Sequence, residues 1–210
     1  MKLHWRGAAA LAAASMPFLM TGSAAWPFNE APAPVEAAGS PSPANRAQGV
    51  IAAWPEQARD LAETILQEYG PPDVVLPTQL TWTGRMPWKW IAVYRDPSSS
   101  GRPRGLEQAV DYEVPVRKWR ALAAFARGVG YDPVKRELIV RTDGEPTNFL
   151  ALNLADEIVR GQRNAEGARE FYDKTVYLAF GGKNSPYMTR LRFRPEQEEG
   201  PAVAGGAGMR

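Results

Sequence analysis

The chain is 210 residues long, with 25 Lys and Arg against 23 Asp and Glu, a single histidine and no cysteine. Its apolar share of 44% and charged share of 23% are those of a globular protein with room for one core and tails. The missing cysteine excludes disulfides, thiolate nucleophiles and iron–sulfur ligation, and one histidine is too few for an imidazole cluster around zinc or copper.

Lys2 and Arg6 precede an apolar stretch, residues 8–20, and Ser23-Ala24-Ala25 offers small residues for cleavage. That is the pattern of a secretory signal peptide cut after Ala25. The apolar stretch is shorter than the roughly 20 residues of a spanning helix, and no later segment resembles one. Cleavage removes two basic residues and no acidic one, so the mature chain carries 23 of each sign and no formal charge. A neutral chain gives no support to nucleic-acid binding, which wants a basic patch or stripe. His4 leaves with the signal, so the mature protein has neither a Ser-His-Asp nor a Cys-His nucleophile system. The expectation is an exported soluble protein, periplasmic or secreted, with no metal, no cofactor and no integral membrane segment.

Residues 26–53, rich in Ala, Pro, Ser and Gly, read as a disordered linker, and 54–194 as a single globular domain. Trp54-Pro55 opens a helix in which Ala58, Leu61, Ala62, Ile65, Leu66 and Tyr69 recur at helical spacing, and Gly70-Pro71-Pro72 stops it. Leu80 and Trp82 alternate with polar residues, 84–87 offers a reversal, and 88–95 continues as a second strand. Alternation there puts Trp88, Trp90, Ala92 and Tyr94 on one face and Lys89, Ile91, Val93 and Arg95 on the other. Residues 96–105 have the composition of an exposed loop, and 106–114 read as a third strand.

Pro115 opens a helix to Arg127 whose inner face is Val116, Trp119, Leu122, Ala123 and Ala126. A fourth strand centres on 138–140, and Asp143-Gly144-Glu145-Pro146 turns into a helical pair over 148–180. In its first helix Ala151, Leu152, Leu154, Ala155, Ile158 and Val159 form the buried face, and Asn153, Asp156, Glu157 and Arg160 the wet one. Gly161 suits a left-handed helix end and Asn164 caps the next helix. Residues 187–194 alternate as a last edge strand, and 195–210 read as a disordered tail. The order α-β-β-β-α-β-α-α-β predicts an α+β fold, a mainly antiparallel sheet of about five strands packed by about four helices.

Three groups of residues, Tyr69-Gly70-Pro71-Pro72-Asp73, Trp82 with Pro87-Trp88-Lys89, and 148–155 leading into Ala168-Arg169-Glu170-Phe171-Tyr172, resemble a family of exported bacterial proteins with no assigned activity. The resemblance covers about residues 54 to 194 and implies export and one domain. It carries no catalytic residue. The stretch from the first helix through Gly70-Pro71-Pro72 to Trp82 and Tyr94 is similar to the small lipoprotein of the outer-membrane β-barrel assembly machinery, where a helix and a Gly-x-Pro turn lead into aromatic-bearing strands. This chain departs from it in having no cysteine to carry a lipid and in its later helices.

The candidate binding residues are Trp82, Trp88, Trp90, Tyr94, Asn148 and Asn153. The aromatics form either a platform for a sugar ring or partner peptide, or the core of the sheet. Asn148 caps its helix, alone or beside Thr147, and Asn153 reaches either a loop carbonyl or a ligand. Arg102 and Arg104 either grip an anion or are solvated loop charges. The leading expectation is a non-catalytic binding domain whose partner is an envelope protein or a glycan. The alternative is a carboxylate-dependent glycoside or cell-wall hydrolase drawing on Asp111 and Glu113, or on Asp143 and Glu145.

Overall fold

The structure, a computed structural model, describes residues 41–96 and 105–195. The export signal, the first part of the linker, Arg102 and Arg104, and the tail from 196 onward lie outside the described residues. The described chain is α+β, as expected, with six strands rather than five. They are β1 (Val74–Leu76), β2 (Gln79–Arg85), β3 (Trp88–Tyr94), β4 (Leu106–Asp111), β5 (Val129–Asp132) and β6 (Glu137–Thr142). The helices are α1 (Pro43–Ile51), α2 (Glu56–Tyr69), α3 (Val116–Phe125), α4 (Glu145–Arg160) and α5 (Ala165–Phe180). All strand pairs are antiparallel, in the order β1-β2-β3-β4-β6-β5.

Structure begins before residue 54, which corrects the extent of the linker. Pro43 occupies the first turn of α1, and the Ser42 hydroxyl accepts from the Asn45 N–H at 3.2 Å, satisfying one free donor of the helix start. Ala47 and Ile51 are buried, and they continue at helical spacing into Trp54, whose indole donates to the Pro77 carbonyl at 2.9 Å. The Ala/Pro-rich composition masks this short amphipathic run. β1 and β5 also escape the sequence reading, because three residues after a Pro-Pro turn and four that include Gly130 give alternation too little length to register.

The expected last strand is absent. Residues 186–188 form a 3-10 turn, and the Asn153 side chain takes the backbone groups a sheet would have taken. Its amide donates to the carbonyls of Tyr187 at 3.0 Å and Arg190 at 2.9 Å, and its Oδ1 accepts from the Arg192 N–H at 2.6 Å. Phe193 then packs edge-on against Tyr112, with ring centroids 5.2 Å apart. This segment corrects the wet face of α4 as well: Asn153 and Asp156 are buried, 1% and 7% exposed, the latter accepting from the Tyr112 hydroxyl at 2.8 Å. The helical hairpin itself is as expected. Gly161 (φ 77°) ends α4 in the left-handed region, and the Asn164 side chain accepts from the Gly167 N–H at 2.8 Å to start α5.

Strand register divides the sheet into two faces. Leu80 pairs with Val93, Trp82 with Ile91, Val93 with Leu106, and Val110 with Leu138, and all are buried in one core with residues of α1, α2, α3 and α4. The opposite face aligns Trp90 with Ala109, Ala92 with Glu107, Glu107 with Arg141 and Asp111 with Glu137. Burying an aliphatic side chain of the first set contributes about 1.5–3 kcal/mol, which fixes the register because a slip by one residue exchanges the two faces.

Candidate functional site

The tryptophans separate into two populations. Trp82 and Trp88, 0% and 1% exposed, are core. The Trp82 indole donates to the Gly70 carbonyl at 2.9 Å, and Trp88 stacks on Phe149 of α4 at 5.1 Å. Trp90 and Tyr94 are half-buried on the opposite face. The expected common face for Trp88, Trp90 and Tyr94 therefore breaks at Lys89: Trp88 turns to the helices, whereas both Lys89 and Trp90 reach Glu137. A local slip of alternation, next to the hairpin turn where Gly84 has φ 62°, separates them.

Beneath α4 lies a polar network centred on Glu145. Its Oε1 accepts from the Tyr69 hydroxyl at 2.6 Å, the Trp88 indole at 2.7 Å and the Gln108 amide at 2.7 Å. Gln108 in turn accepts from the Asn148 amide at 2.7 Å, and Asn148 Oδ1 accepts from the Thr142 hydroxyl at 2.6 Å. Burial, and next the bond to Glu145, push the Tyr69 phenol well above its usual range. Asn148 is not a cap: Pro146 lets α4 begin at Glu145, which places Asn148 inside the helix and fully buried. Among the described residues, both asparagines singled out from sequence join one segment of the chain to another.

The helix-distant face carries half-buried aromatic and basic side chains over buried carboxylates. The Trp90 indole starts on β3 and donates to Glu137 Oε2 at 3.2 Å on β6, crossing β4 at the buried Ala109. The indole thus bridges from β3 to β6 past a small residue on β4. Lys89 Nζ lies 2.6 Å from Asp111 and 3.1 Å from Glu137, and the Asp111 bond, joined by that to Glu137, holds the ammonium above its usual pKa. Some 13 Å along β3, four residues at about 3.3 Å each, the Tyr94 hydroxyl donates to Glu107 Oε2 at 3.0 Å. Arg141 meets the other oxygen of Glu107 at 2.6 Å, and among the described residues its buried Nε has no partner, which costs about 1–3 kcal/mol. Glu107, Glu137, Arg141 and Lys89 were not singled out from sequence. The signal was present as Glu107-Ala109-Asp111 and Glu137-Ile139-Arg141, two strand faces on which charge flanks a small or aliphatic residue.

The expected acidic pairs do not stay together. Asp111 faces Glu137 across the ladder rather than Glu113, which is exposed beyond the strand end. Glu145 belongs to the network under α4, on the other side of the sheet from Asp111, and Asp143 is exposed on the turn before it. Among the described residues no group of three or more carboxylates or histidines converges as a metal site, and no helix is long and apolar enough to cross a membrane. No family model matches the chain, and neither a curated protein nor a solved structure was found to be similar to it.

Proposed function

We propose that this chain is an exported, non-catalytic recognition domain that binds an envelope glycan on the sheet face remote from the helices. The observation that carries the reading is the half-buried Trp90 indole, opposite the small Ala109 in the ladder and tethered at its N–H by Glu137 on β6. A flat ring held in one orientation loses little entropy on binding and offers an apolar surface to a sugar face. Lys89, paired with Asp111 and Glu137, supplies polar groups beside it, and Arg141 and the Tyr94 hydroxyl supply others farther along the strand. A ligand touching both Trp90 and Tyr94 must span about 13 Å, so the site fits an oligosaccharide rather than a single sugar. Export rests on the basic and apolar leader pattern of residues 1–25.

The test is titration of purified cell-wall oligosaccharides and envelope polysaccharides against intrinsic tryptophan fluorescence, repeated with Trp90→Ala. The expected outcome is saturable binding that the substitution abolishes while the circular dichroism spectrum is kept. A panel without a binder, or a Trp90→Ala protein that binds as before, overturns the reading.

One observation favours a second reading, carboxylate-dependent glycoside hydrolysis. Asp111 and Glu137 share the Lys89 ammonium beside Trp90, which places them within about 6 Å, near the spacing of about 5–5.5 Å used by retaining glycosidases. Release of reducing ends from the same panel, lost in Asp111→Asn, would establish it in place of simple binding.

A further inference from the structure

We propose that the open edge of β5 receives an extended acidic peptide as an added strand, an interaction independent of any ligand on the Trp90 face. Among the described residues β5 ends the sheet, with β6 its one partner strand. The Arg141 N–H donates to the Gly128 carbonyl at 2.9 Å, and the ladder continues with Val129 opposite Val140 and Gly130 opposite Ile139. Antiparallel pairing alternates, so Gly128, Gly130 and Asp132 turn their backbone groups toward β6, and Val129 and Tyr131 turn theirs outward. Two N–H and two C=O groups at strand spacing are a template for another strand.

The surroundings of the β5 edge suit close approach by a backbone. Gly128 and Gly130 are exposed and carry no side chain to obstruct it. Beside them opens a cavity of about 620 Å³ whose walls include Ala123, Ala126, Arg127 and Tyr172, room for a side chain of the added strand. Ala123 of α3 and Ala126 just past its end leave that space, and Tyr172 of α5 forms part of its wall.

Charge selects the kind of peptide. Residues 115–136 hold six basic side chains, Arg117, Lys118, Arg120, Arg127, Lys135 and Arg136, against one acidic side chain, Asp132. Arg127 is engaged by Asp173 of α5, and Lys118 by the Ile158 carbonyl. Arg117, Arg120, Lys135 and Arg136 are exposed; Lys135 sits beside Asp132, whose carboxylate accepts its backbone N–H at 3.0 Å, and Arg117, Arg120 and Arg136 have no ion pair among the described residues. Trp119, between Arg117 and Arg120, packs on Tyr131 of β5 with ring centroids 5.9 Å apart, so the basic turn of α3 adjoins β5 and favours an incoming strand with alternating acidic residues whose backbone completes the edge.

The probe is a fluorescein-labelled peptide of alternating Glu and Val, about ten residues long, measured by fluorescence anisotropy against the full chain. The same peptide N-methylated at alternate amides, and one with Lys in place of Glu, serve as controls. Saturable binding is expected for the Glu-Val peptide, weakened about tenfold or more by N-methylation, lost with Lys, and falling as salt rises. Val129→Pro removes an outward donor and no β5–β6 bond, and it should weaken binding comparably. Arg117→Glu with Arg120→Glu leaves the edge intact and should weaken binding through charge alone. Absence of binding, or binding indifferent to both N-methylation and the charge reversal, overturns the proposal. So does sedimentation showing that β5 pairs with a second copy of the chain and that Val129→Pro dissociates it.

Discussion

Replacing Glu145 with alanine isolates the network that joins α2, β3, β4 and α4. One carboxylate oxygen accepts three neutral donors, from Tyr69, Trp88 and Gln108, at 2.6 to 2.7 Å. Hydrogen bonds to a charged acceptor contribute about 1.5–3 kcal/mol each, and a buried donor left alone costs about 1–3 kcal/mol. Tyr69 is half-buried and can turn to water, whereas the Trp88 indole is held by its stack on Phe149 and keeps the Tyr69 hydroxyl as a second acceptor at 3.0 Å. The losses are coupled rather than additive, so we expect about 3–5 kcal/mol in all, a large share of the 5–15 kcal/mol that holds an ordinary domain. Glu145→Gln keeps an acceptor of the same shape and removes the charge, so it should cost about 1–2 kcal/mol. Urea unfolding followed by both circular dichroism and tryptophan fluorescence measures the two differences. An alanine variant within about 0.5 kcal/mol of the parent would refute the claim that this carboxylate organises the interface.

Four further outcomes follow from the packing. Tyr69 and Tyr112 both have folded pKa values raised, first by burial and then by bonds to Glu145 and Asp156. The stability they contribute is complete below the unfolded value of about 10 and is lost as pH rises through the folded values. The urea midpoint should therefore fall above about pH 10, and Tyr69→Phe with Tyr112→Phe should flatten that fall. Asn153→Ala should release the C-terminal segment first, seen as faster hydrogen exchange at the Arg192 amide than in the helices. Trp88→Ala should cost about 3–5 kcal/mol as a core truncation and Trp90→Ala about 1 kcal/mol or less, in the same unfolding assay. Ile51→Ala should cost about 2–5 kcal/mol, a loss that a linker position would not show.

Long periodic segments were legible in the sequence and short ones were not. α2 and the α4–α5 pair declare themselves because their apolar positions recur over three or more turns and their ends carry proline, glycine or asparagine. α1 hides behind its composition, and β1 and β5 behind their length. The 187–194 segment has the alternation of a strand, but alternation reports which side chains are buried and says nothing of what the backbone bonds to. Here a distant asparagine supplies that partner, an arrangement only tertiary structure reveals. The same limit governs the site. Trp88 and Trp90 are equivalent in a two-residue period, and the slip at Lys89 sends one to the core and the other to the surface.

The burial of α4 on nearly every side bears on how the chain reaches its native state. Ribosomes deliver β1 to β6, together with α1 to α3, before α4, so a nascent chain leaves the apolar side of β6, against which α4 packs, short of that part of its cover until about 20 further residues follow. Until then it is a client for a holding chaperone, and a ribosome stalled inside α4 should leave a protease-sensitive product where one stalled beyond the tail leaves a resistant one.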